Sequence, residues 1–188
     1  DEFAQRLETV VFQEKLGTVL QKTQRMEALA AEIALDETSS QEKAELAARA
    51  AHLAKADLVS QAVVEFTSQQ GVMGGYYAEA AGEKSDVAAA IREHYRPRFA
   101  GDELPSGQIG RFVAKLDTIC GIFAINEPPT GSSDPYAVRR AAIGVIALVR
   151  STANLDLKNL IASSLELYRQ QGLVVDESVQ SQVEQYFI

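Results

Sequence analysis

The sequence has few of the features that mark secreted or membrane proteins. It contains one cysteine, Cys120, so no disulfide can form within the chain, and this favours a reducing compartment. It has no apolar run that approaches the length of a membrane span and no signal-peptide pattern at its start. We therefore expect a cytoplasmic protein with no membrane partner. Because the chain starts at Asp1 rather than Met and stops in the apolar residues 186–188, we expect it to be a fragment of a longer protein.

Basic residues are also in short supply. Lys and Arg number 18 against 26 Asp and Glu, which gives a net charge of −8 at pH 7. This balance argues against a protein that grips nucleic acid with its whole surface, although a local cationic patch can exist on an acidic body. With 188 residues, 46% of them hydrophobic, the chain is long enough to bury a core of its own.

Tryptophan is absent, and we find no strand-like run bounded by hairpin turns and no internal repeat. Apolar residues instead recur at helical spacing, which predicts an all-α fold. We expect helices over residues 16–33, 41–53 (which could extend to 66), 86–94, 109–123 and 135–150, then two more joined near Gly172. Ser39 with Glu42 forms a candidate capping box, and Ser85 is a candidate helix cap. A change in composition predicts a boundary near residue 155, between a helical domain, residues 1–155, and a C-terminal helical extension, residues 156–188.

Residues 128–140, PPTGSSDPYAVRR, are more closely specified than a connector needs to be. Asp134 can cap a helix whose first turn suits Pro135, because the N–H that proline lacks would be unsatisfied there. Arg139 and Arg140 then open an apolar helix. The glycine-containing segment 68–78 lacks the spacing of a phosphate-binding loop, so we interpret its glycines as sites of close helix packing. A second apolar stripe is expected to be buried; it comprises Ile109, Phe112, Val113, Leu116, Ile119 and Phe123.

Histidine and aspartate residues scattered along predicted helices raise the possibility of a metal site. The candidate ligands are His52, Asp57, His94 and Asp117, which could hold a cation that activates water. The chain has two histidines in all and no adjacent His-Asp pair, so we favour structural roles for them. In that interpretation His52 lies on a helix face, and His94 lies at a helix end where the dipole favours a cation. Cys120 lies inside the apolar stripe and is expected to pack as a small hydrophobe.

Three basic clusters are candidates for contact with RNA, because guanidinium groups bind phosphate in bidentate fashion and stack on bases. Their members are Lys15, Lys22 and Arg25; Arg92, Arg96 and Arg98, with His94, Tyr95 and Phe99 interleaved; and Arg139 and Arg140. In the first cluster, Thr18, Lys22 and Arg25 share a helix face, which is either a solvated polar face or a contact surface. The alternative for the arginines is intramolecular pairing; the available carboxylates are Asp102, Glu103, Asp117 and Asp134.

Several motifs, in order, resemble the central helical part of the β subunit of the bacterial heterotetrameric glycyl-tRNA synthetase. They are VVFQEKLGT with QKTQR (10–25), AHLAKADLV (51–59), QGVMGGYYA with GE (70–83), EHYRPRFAGDELP (93–105), KLDTICGIFAI (115–125) and PPTGSSDPYAVRRAAIGVI (128–146). The resemblance covers most of residues 10–150 and is loose over the last 30 or so. It implies an HD-like helical bundle with additional C-terminal helices.

The resemblance also implies a division of labour. Aminoacylation, with ATP and Mg, belongs to the complete enzyme and its α subunit, and the β subunit binds and positions tRNA(Gly). The implied partners are tRNA(Gly), the α subunit and other β-subunit domains, with no cofactor in this segment.

The sequence departs from a working HD phosphohydrolase at several positions. Such enzymes use a His, an adjacent His-Asp pair and a later Asp, whereas here Ala56 precedes Asp57 and Ala114 stands where the resemblance leads us to expect an acid. Ser133 likewise replaces an expected lysine. The leading hypothesis is therefore a non-catalytic module that helps to dock tRNA. The alternatives are a metal-dependent phosphohydrolase that uses His52, Asp57 and Asp117, or an architectural spacer between catalytic and anticodon-binding parts.

Overall fold

The computed structural model describes residues 1–107, 115–152 and 155–188, and it confirms the all-α class. The described residues are 65% helical, and their sheet has two short strands. The described α-helices are α1 (Glu2–Arg6), α2 (Val19–Thr38), α3 (Gln41–Leu53), α4 (Gln61–Glu65), α5 (Val72–Ala80), α6 (Ser85–Glu93), α7 (Leu116–Ala124), α8 (Val138–Arg150), α9 (Leu157–Gln170) and α10 (Ser178–Tyr186). Three 3₁₀ turns connect them at Leu7–Thr9, Ala56–Val59 and Thr67–Gln69.

A small antiparallel hairpin precedes the first long helix, although no strand was expected. β1 (Val11–Gln13) pairs with β2 (Gly17–Thr18), and these strands are too short to show an alternating pattern. Thr18 then caps α2. Its hydroxyl accepts from the Gln21 N–H at 3.2 Å, and the Gln21 side chain accepts from the Thr18 N–H at 2.9 Å. This capping box makes α2 begin at Val19 rather than near residue 16.

The junction between α2 and α3 lies one residue from its predicted position. Ser39 adopts the left-handed conformation (φ 50°) and ends α2, while the Ser40 hydroxyl accepts from the Lys43 N–H at 3.3 Å and caps α3. The prediction that Ser39 begins the capping box is therefore wrong, since the chain reverses at that residue. α3 ends at Leu53 and does not extend to 66, because the backbone turns into the 3₁₀ segment Ala56–Val59.

Two other helix starts differ from the sequence prediction. Ser85 is the first residue of α6 and does not act as its side-chain cap. Asp134 does bind the start of α8, where its carboxylate accepts from the N–H groups of Val138 at 2.7 Å and Arg139 at 3.0 Å. The helix nevertheless begins at Val138 instead of Pro135, because Ala137 adopts φ 54° and reverses the chain just before it.

The core forms where α7 meets α2, α8, α9 and α10. Leu116, Ile119 and Phe123 are at most 6% exposed, as predicted, and Cys120 is fully buried among them. Burial raises the pKa of the Cys120 thiol to about 12, which suits a packing role. The remaining members of the predicted stripe, Ile109, Phe112 and Val113, lie outside the described residues.

Helices α9 and α10 pack on this same core through residues such as Leu165, Tyr168 and Val183. The domain boundary near residue 155 and the HD-like label both stay predictions. Within the described part of the chain, no helix has the length and apolar character needed to cross a bilayer.

Candidate anion-binding site

A buried ion cluster joins α2, α7 and α9. Asp117 Oδ2 accepts from Lys22 Nζ at 2.7 Å, and Asp117 Oδ1 accepts from Arg25 Nε at 2.6 Å. The Arg25 guanidinium lies 3.9 Å from the centre of the Tyr168 ring and donates to the Tyr168 hydroxyl at 3.2 Å. Burial alone would raise the pKa of Asp117, but the charges and hydrogen bonds of Lys22 and Arg25 outweigh it and hold that pKa below its usual value.

This cluster corrects the prediction that Lys22 and Arg25 share a solvated or contact-making face. The two residues are 7% and 1% exposed, and Thr23 between them is fully buried. The polar stripe of α2 therefore faces the interior, where Asp117 compensates both cations. The sequence signal for this burial was Asp117, an acidic residue inside the otherwise apolar helix α7. A buried carboxylate requires a cationic partner.

His94 is buried at the C-terminal end of α6 and binds a lysine. Its Nδ1 lies 2.6 Å from the Ile91 carbonyl oxygen, so Nδ1 carries the proton and Nε2 is free to accept from Lys55 Nζ at 2.8 Å. Burial, followed by the charge of Lys55, lowers the pKa of His94 well below its ordinary value. The sequence placed His94 near a helix dipole as a cation, and the structure instead makes it a neutral acceptor.

Asp57 binds the start of α5. Its Oδ2 accepts from the N–H groups of Gly71 at 2.7 Å and Gly74 at 3.0 Å, and its Oδ1 is buried without a hydrogen-bond partner. Burial raises the pKa of Asp57 despite these two bonds. The glycines allow the close approach that the sequence predicted, because a Cβ on Gly74 would lie 2.9 Å from Ile91 Cγ2.

Apart from the unpartnered Oδ1 of Asp57, the candidate metal ligands bind other groups of the chain. His52 lies on a helix face, as expected for its structural role, with Nδ1 3.2 Å from Glu27 Oε2. Lysine or arginine groups bind both oxygens of Asp117 and the free nitrogen of His94. Among the described residues, no group of three or more histidine, cysteine or acidic side chains is arranged to hold a metal ion.

Four of the predicted RNA-contact residues line one surface groove of about 410 Å³, which we call the arginine groove. They come from α6, the segment after it and α8, and they are Arg92, Arg96, Arg98 and Arg140. The rest of its described lining is polar or aromatic for the most part, with no acidic side chain: Thr67, Ser68, Gln70, Val72 and Tyr95.

The arginines of the groove have different partners. Arg92 binds Glu79 at 2.7 Å, and Arg96 binds Glu93 at 3.3 Å and Glu103 at 3.2 Å. The Arg98 Nε donates to Asp102 at 3.0 Å, as the pairing interpretation predicted, while its side chain stays 60% exposed. Arg140 is exposed and has no hydrogen-bonded or ionic partner among the described residues.

Lys15 and Arg139 lie apart from the groove. Lys15 binds Glu127 at 2.9 Å beside the β-hairpin, and the Arg139 guanidinium donates to the Thr130 carbonyl in the loop before α8. Both residues are exposed, but neither is among the described residues that line the arginine groove.

A second cavity, of about 290 Å³, adjoins the groove and shares Tyr95, Arg98 and Arg140 with it. We call it the basic pocket, because five cationic side chains line it: Lys22, Lys55, Arg98, Lys115 and Arg140. Sequence reasoning missed Lys55 and Lys115. The available signal was a single lysine in each of two largely apolar stretches that also carry an aspartate, AHLAKADLV and KLDTICGIFAI.

Together, the fold and these two cavities define an all-α protein with a cationic surface site. The chain belongs to the glycyl-tRNA synthetase β-subunit family, whose family model, "Glycyl-tRNA synthetase beta subunit", matches residues 1–188.

Individual relatives agree with this family. The chain is 48% identical to the glycine–tRNA ligase β subunit of Haemophilus influenzae over 169 residues, which cover 88% of this chain and 23% of that protein. It is 46% identical to the corresponding protein of Shewanella halifaxensis over 186 residues, 97% of this chain and 26% of that one. The chain thus spans about a quarter of the length of these relatives.

Proposed function

We propose that this segment is a non-catalytic helical module of a glycine–tRNA ligase β subunit. It helps to bind and position tRNA(Gly) for aminoacylation by the α subunit, in the cytoplasm. The observation that carries the proposal is the arginine groove, in which separate parts of the sequence contribute Arg92, Arg96, Arg98 and Arg140. ATP and Mg act in the complete enzyme, and the segment needs no cofactor for this role.

The groove suits a phosphate backbone. Guanidinium groups bind phosphate oxygens through two parallel hydrogen bonds. The Glu103 carboxylate that binds Arg96 is 80% exposed and can be exchanged for a phosphate, since surface ion pairs contribute only about 0.2–1 kcal/mol each. Arg140 needs no exchange because it has no partner among the described residues. Arg140 thus offers an uncompensated cation on an acidic body whose net charge is −8.

Exposed aromatic residues accompany the arginines. Tyr76 is 55% exposed, and the Arg92 guanidinium lies 5.0 Å from the centre of its ring. Phe99, 57% exposed, follows Arg98 directly. Unstacked RNA bases pack on such aromatic and guanidinium planes, so Tyr76 and Phe99, outside the lining of the groove, add a surface for single-stranded or splayed nucleotides.

The side chains available for metal chemistry favour a non-catalytic role over a phosphohydrolase. A metal ion at Asp117 or His94 would have to displace Lys22, Arg25 or Lys55 from its hydrogen bond. A divalent cation would also enter a region that already carries several positive charges, which opposes its binding.

The proposal is tested with the complete α/β ligase by measuring tRNA(Gly) affinity as a function of salt concentration. Arg140→Ala should weaken binding and lower the salt slope by about 0.7–0.9 for a lost phosphate contact. Arg150→Ala is the matched control, because Arg150 is exposed on the same helix and does not line the groove.

The double variant Arg98→Ala/Arg140→Ala should lower the affinity and the slope further. If tRNA affinity at moderate salt were the same in all variants, the arginine groove would not contact tRNA. The segment would then be better described as an architectural spacer that packs against other parts of the subunit.

A further inference from the structure

The basic pocket holds more positive charge than its surroundings compensate. Of its five cationic side chains, two have a carboxylate partner: Lys22 binds Asp117, and Arg98 binds Asp102. No acidic side chain lines the pocket among the described residues. Buried or half-buried charges are normally paired, because removing an ion from water costs several kcal/mol. The pocket therefore favours an anion.

Lys55 is a largely enclosed cation without a carboxylate in its hydrogen bonds. Its Nζ lies 2.8 Å from the neutral His94 Nε2 and 3.6 Å from the centre of the Tyr95 ring, and neither group carries a negative charge. The charge of Asp57 acts on Lys55, but no hydrogen bond joins them, and Asp57 binds the N–H groups of α5 instead. Burial, together with the charges of Lys22 and Lys115, lowers the pKa of Lys55 well below its ordinary value.

Two further cations reach the pocket from other elements. Lys115 Nζ donates to the carbonyl oxygens of Tyr95 and Pro97, both at 2.6 Å, and burial lowers its pKa to about 8. The Lys115 ammonium is therefore still protonated for the most part at neutral pH. Arg140 lies on α8 at the boundary with the arginine groove. The turn after α3, the residue before α7 and the first turns of α8 thus bring Lys55, Lys115 and Arg140 to one place.

The size and the remaining walls limit what the anion can be. A volume of about 290 Å³ exceeds what inorganic phosphate fills and lies near the lower end of small-molecule sites. Tyr95, Tyr136 and Met26 contribute aromatic and apolar surface beside the cations. A ligand that fits both features carries a phosphate on a flat organic group.

We propose that the basic pocket binds a phosphomonoester of about mononucleotide size, with its phosphate held by Lys55, Lys115 and Arg140. This goes beyond tRNA docking in the arginine groove, because Lys55 and Lys115 line the pocket and not the groove. The phosphate could come from a free mononucleotide or from RNA that reaches the pocket along the groove, and the experiment below separates these two sources.

The test is titration of adenosine 5′-monophosphate (AMP) into the purified chain and into the complete β subunit prepared without the α subunit. AMP should bind, whereas adenosine, which lacks the phosphate, should bind at least tenfold more weakly. In the chain, the ring nitrogen resonances of His94 should shift on binding. Those of His52, which lies against Glu27 and outside the pocket, should not. Equal binding of AMP and adenosine, or no binding of AMP, would overturn the proposal.

Variants locate the site. Arg140→Gln should weaken AMP binding about tenfold, the effect of one charge-assisted hydrogen bond, and Arg150→Gln on the same helix should leave it unchanged. Lys55→Met should weaken it further. Lys55 is largely enclosed, whereas Arg140 is exposed. If Lys55→Met does not fold, Arg140→Gln still tests the proposal. An equal loss in Arg140→Gln and Arg150→Gln would mean that AMP binds nonspecifically and would contradict the assignment.

Competition with tRNA(Gly) then identifies the source of the phosphate. If AMP and tRNA bind the β subunit together, the pocket serves a free nucleotide. If they exclude each other, and Lys55→Met weakens both, the pocket also takes a phosphate from the RNA. Failure of tRNA to bind at all would contradict the proposed function but leave AMP binding as evidence for the pocket.

Discussion

At the residue scale, the charged side chains inside this molecule have roles that depend on their neighbours. Asp117 is buried, and it stays ionised because Lys22 and Arg25 bind both of its oxygens. Asp57 is also an aspartate, but it binds the start of α5, because its partners are backbone N–H groups there. Sequence reasoning grouped both as candidate metal ligands, since residue type alone does not reveal which partners the fold supplies.

Replacement of Asp117 should strongly destabilise the protein. Asp117→Asn keeps the shape but leaves two buried cations without a counter-ion, so we expect a loss of about 3–5 kcal/mol in the free energy of unfolding. Denaturant titration measures this. Glu127→Gln, which removes the exposed partner of Lys15, is the control and should cost at most about 1 kcal/mol. Similar losses in the two variants would show that the buried cluster contributes little.

The stabilising effect of Asp117 should also depend on pH. The pKa of Asp117 is lower in the folded chain than in the unfolded chain, where it is about 3.9. Its stabilising contribution is therefore complete above about pH 4 and is lost as the pH falls through the lower, folded-state value. The stability difference between wild type and Asp117→Asn should stay constant at higher pH and shrink below about pH 4.

At the scale of elements, helix packing depends on positions where no side chain fits. α5 crosses α6 closely at Gly74 and Gly75, and a Cβ on Gly75 would lie 2.9 Å from Arg92 Cβ. This close approach brings Arg92 to the arginine groove and lets Asp57 reach the start of α5. The glycine spacing in the sequence predicted close packing correctly, but it could not name the helix that lies opposite.

Gly74→Ala should destabilise the chain by about 1–3 kcal/mol, even though alanine is the better helix former. The added methyl group would meet Ile91, which is 1% exposed and cannot move aside, and the Asp57 carboxylate at 3.2 Å. Gly131→Ala is the matched control, since a Cβ there has no heavy atom within 4 Å, and it should change stability by less than about 0.5 kcal/mol. Thermal unfolding of both variants tests this, and a neutral Gly74→Ala would contradict the close packing.

At the scale of the whole molecule, the last two helices are part of the core. Tyr168 on α9 is 1% exposed, stacks on Arg25 and donates to the carbonyl of Asp117 at 2.9 Å. Gly121 on α7 gives the Tyr168 side chain its room, because a Cβ there would overlap the Tyr168 hydroxyl oxygen. The buried ion cluster therefore depends on residues on both sides of the predicted boundary near residue 155.

A chain that stops at residue 155 should lose its cooperative unfolding transition. It lacks α9 and α10, so the apolar face of α7 is exposed and Arg25 loses Tyr168 and Gln171. Calorimetry and binding of a hydrophobic dye measure the effect, and a chain without the fully exposed Ile188 serves as the control. An unchanged transition in the shortened chain would instead support an independent domain ending near residue 155.

The sequence by itself determined the helical class, most helix positions, the buried stripe around Cys120 and, through its motifs, the family. These follow from local periodicity and from residue order, which a linear chain displays directly. Only the tertiary structure decided which basic residues are free. It placed Lys22 and Arg25 in the interior, joined Arg92, Arg96, Arg98 and Arg140 in one groove, and gathered Lys55 and Lys115 in a pocket. The physical reason is that the effect of a charge depends on which distant groups desolvate or pair it, and only the packing of the helices fixes those neighbours.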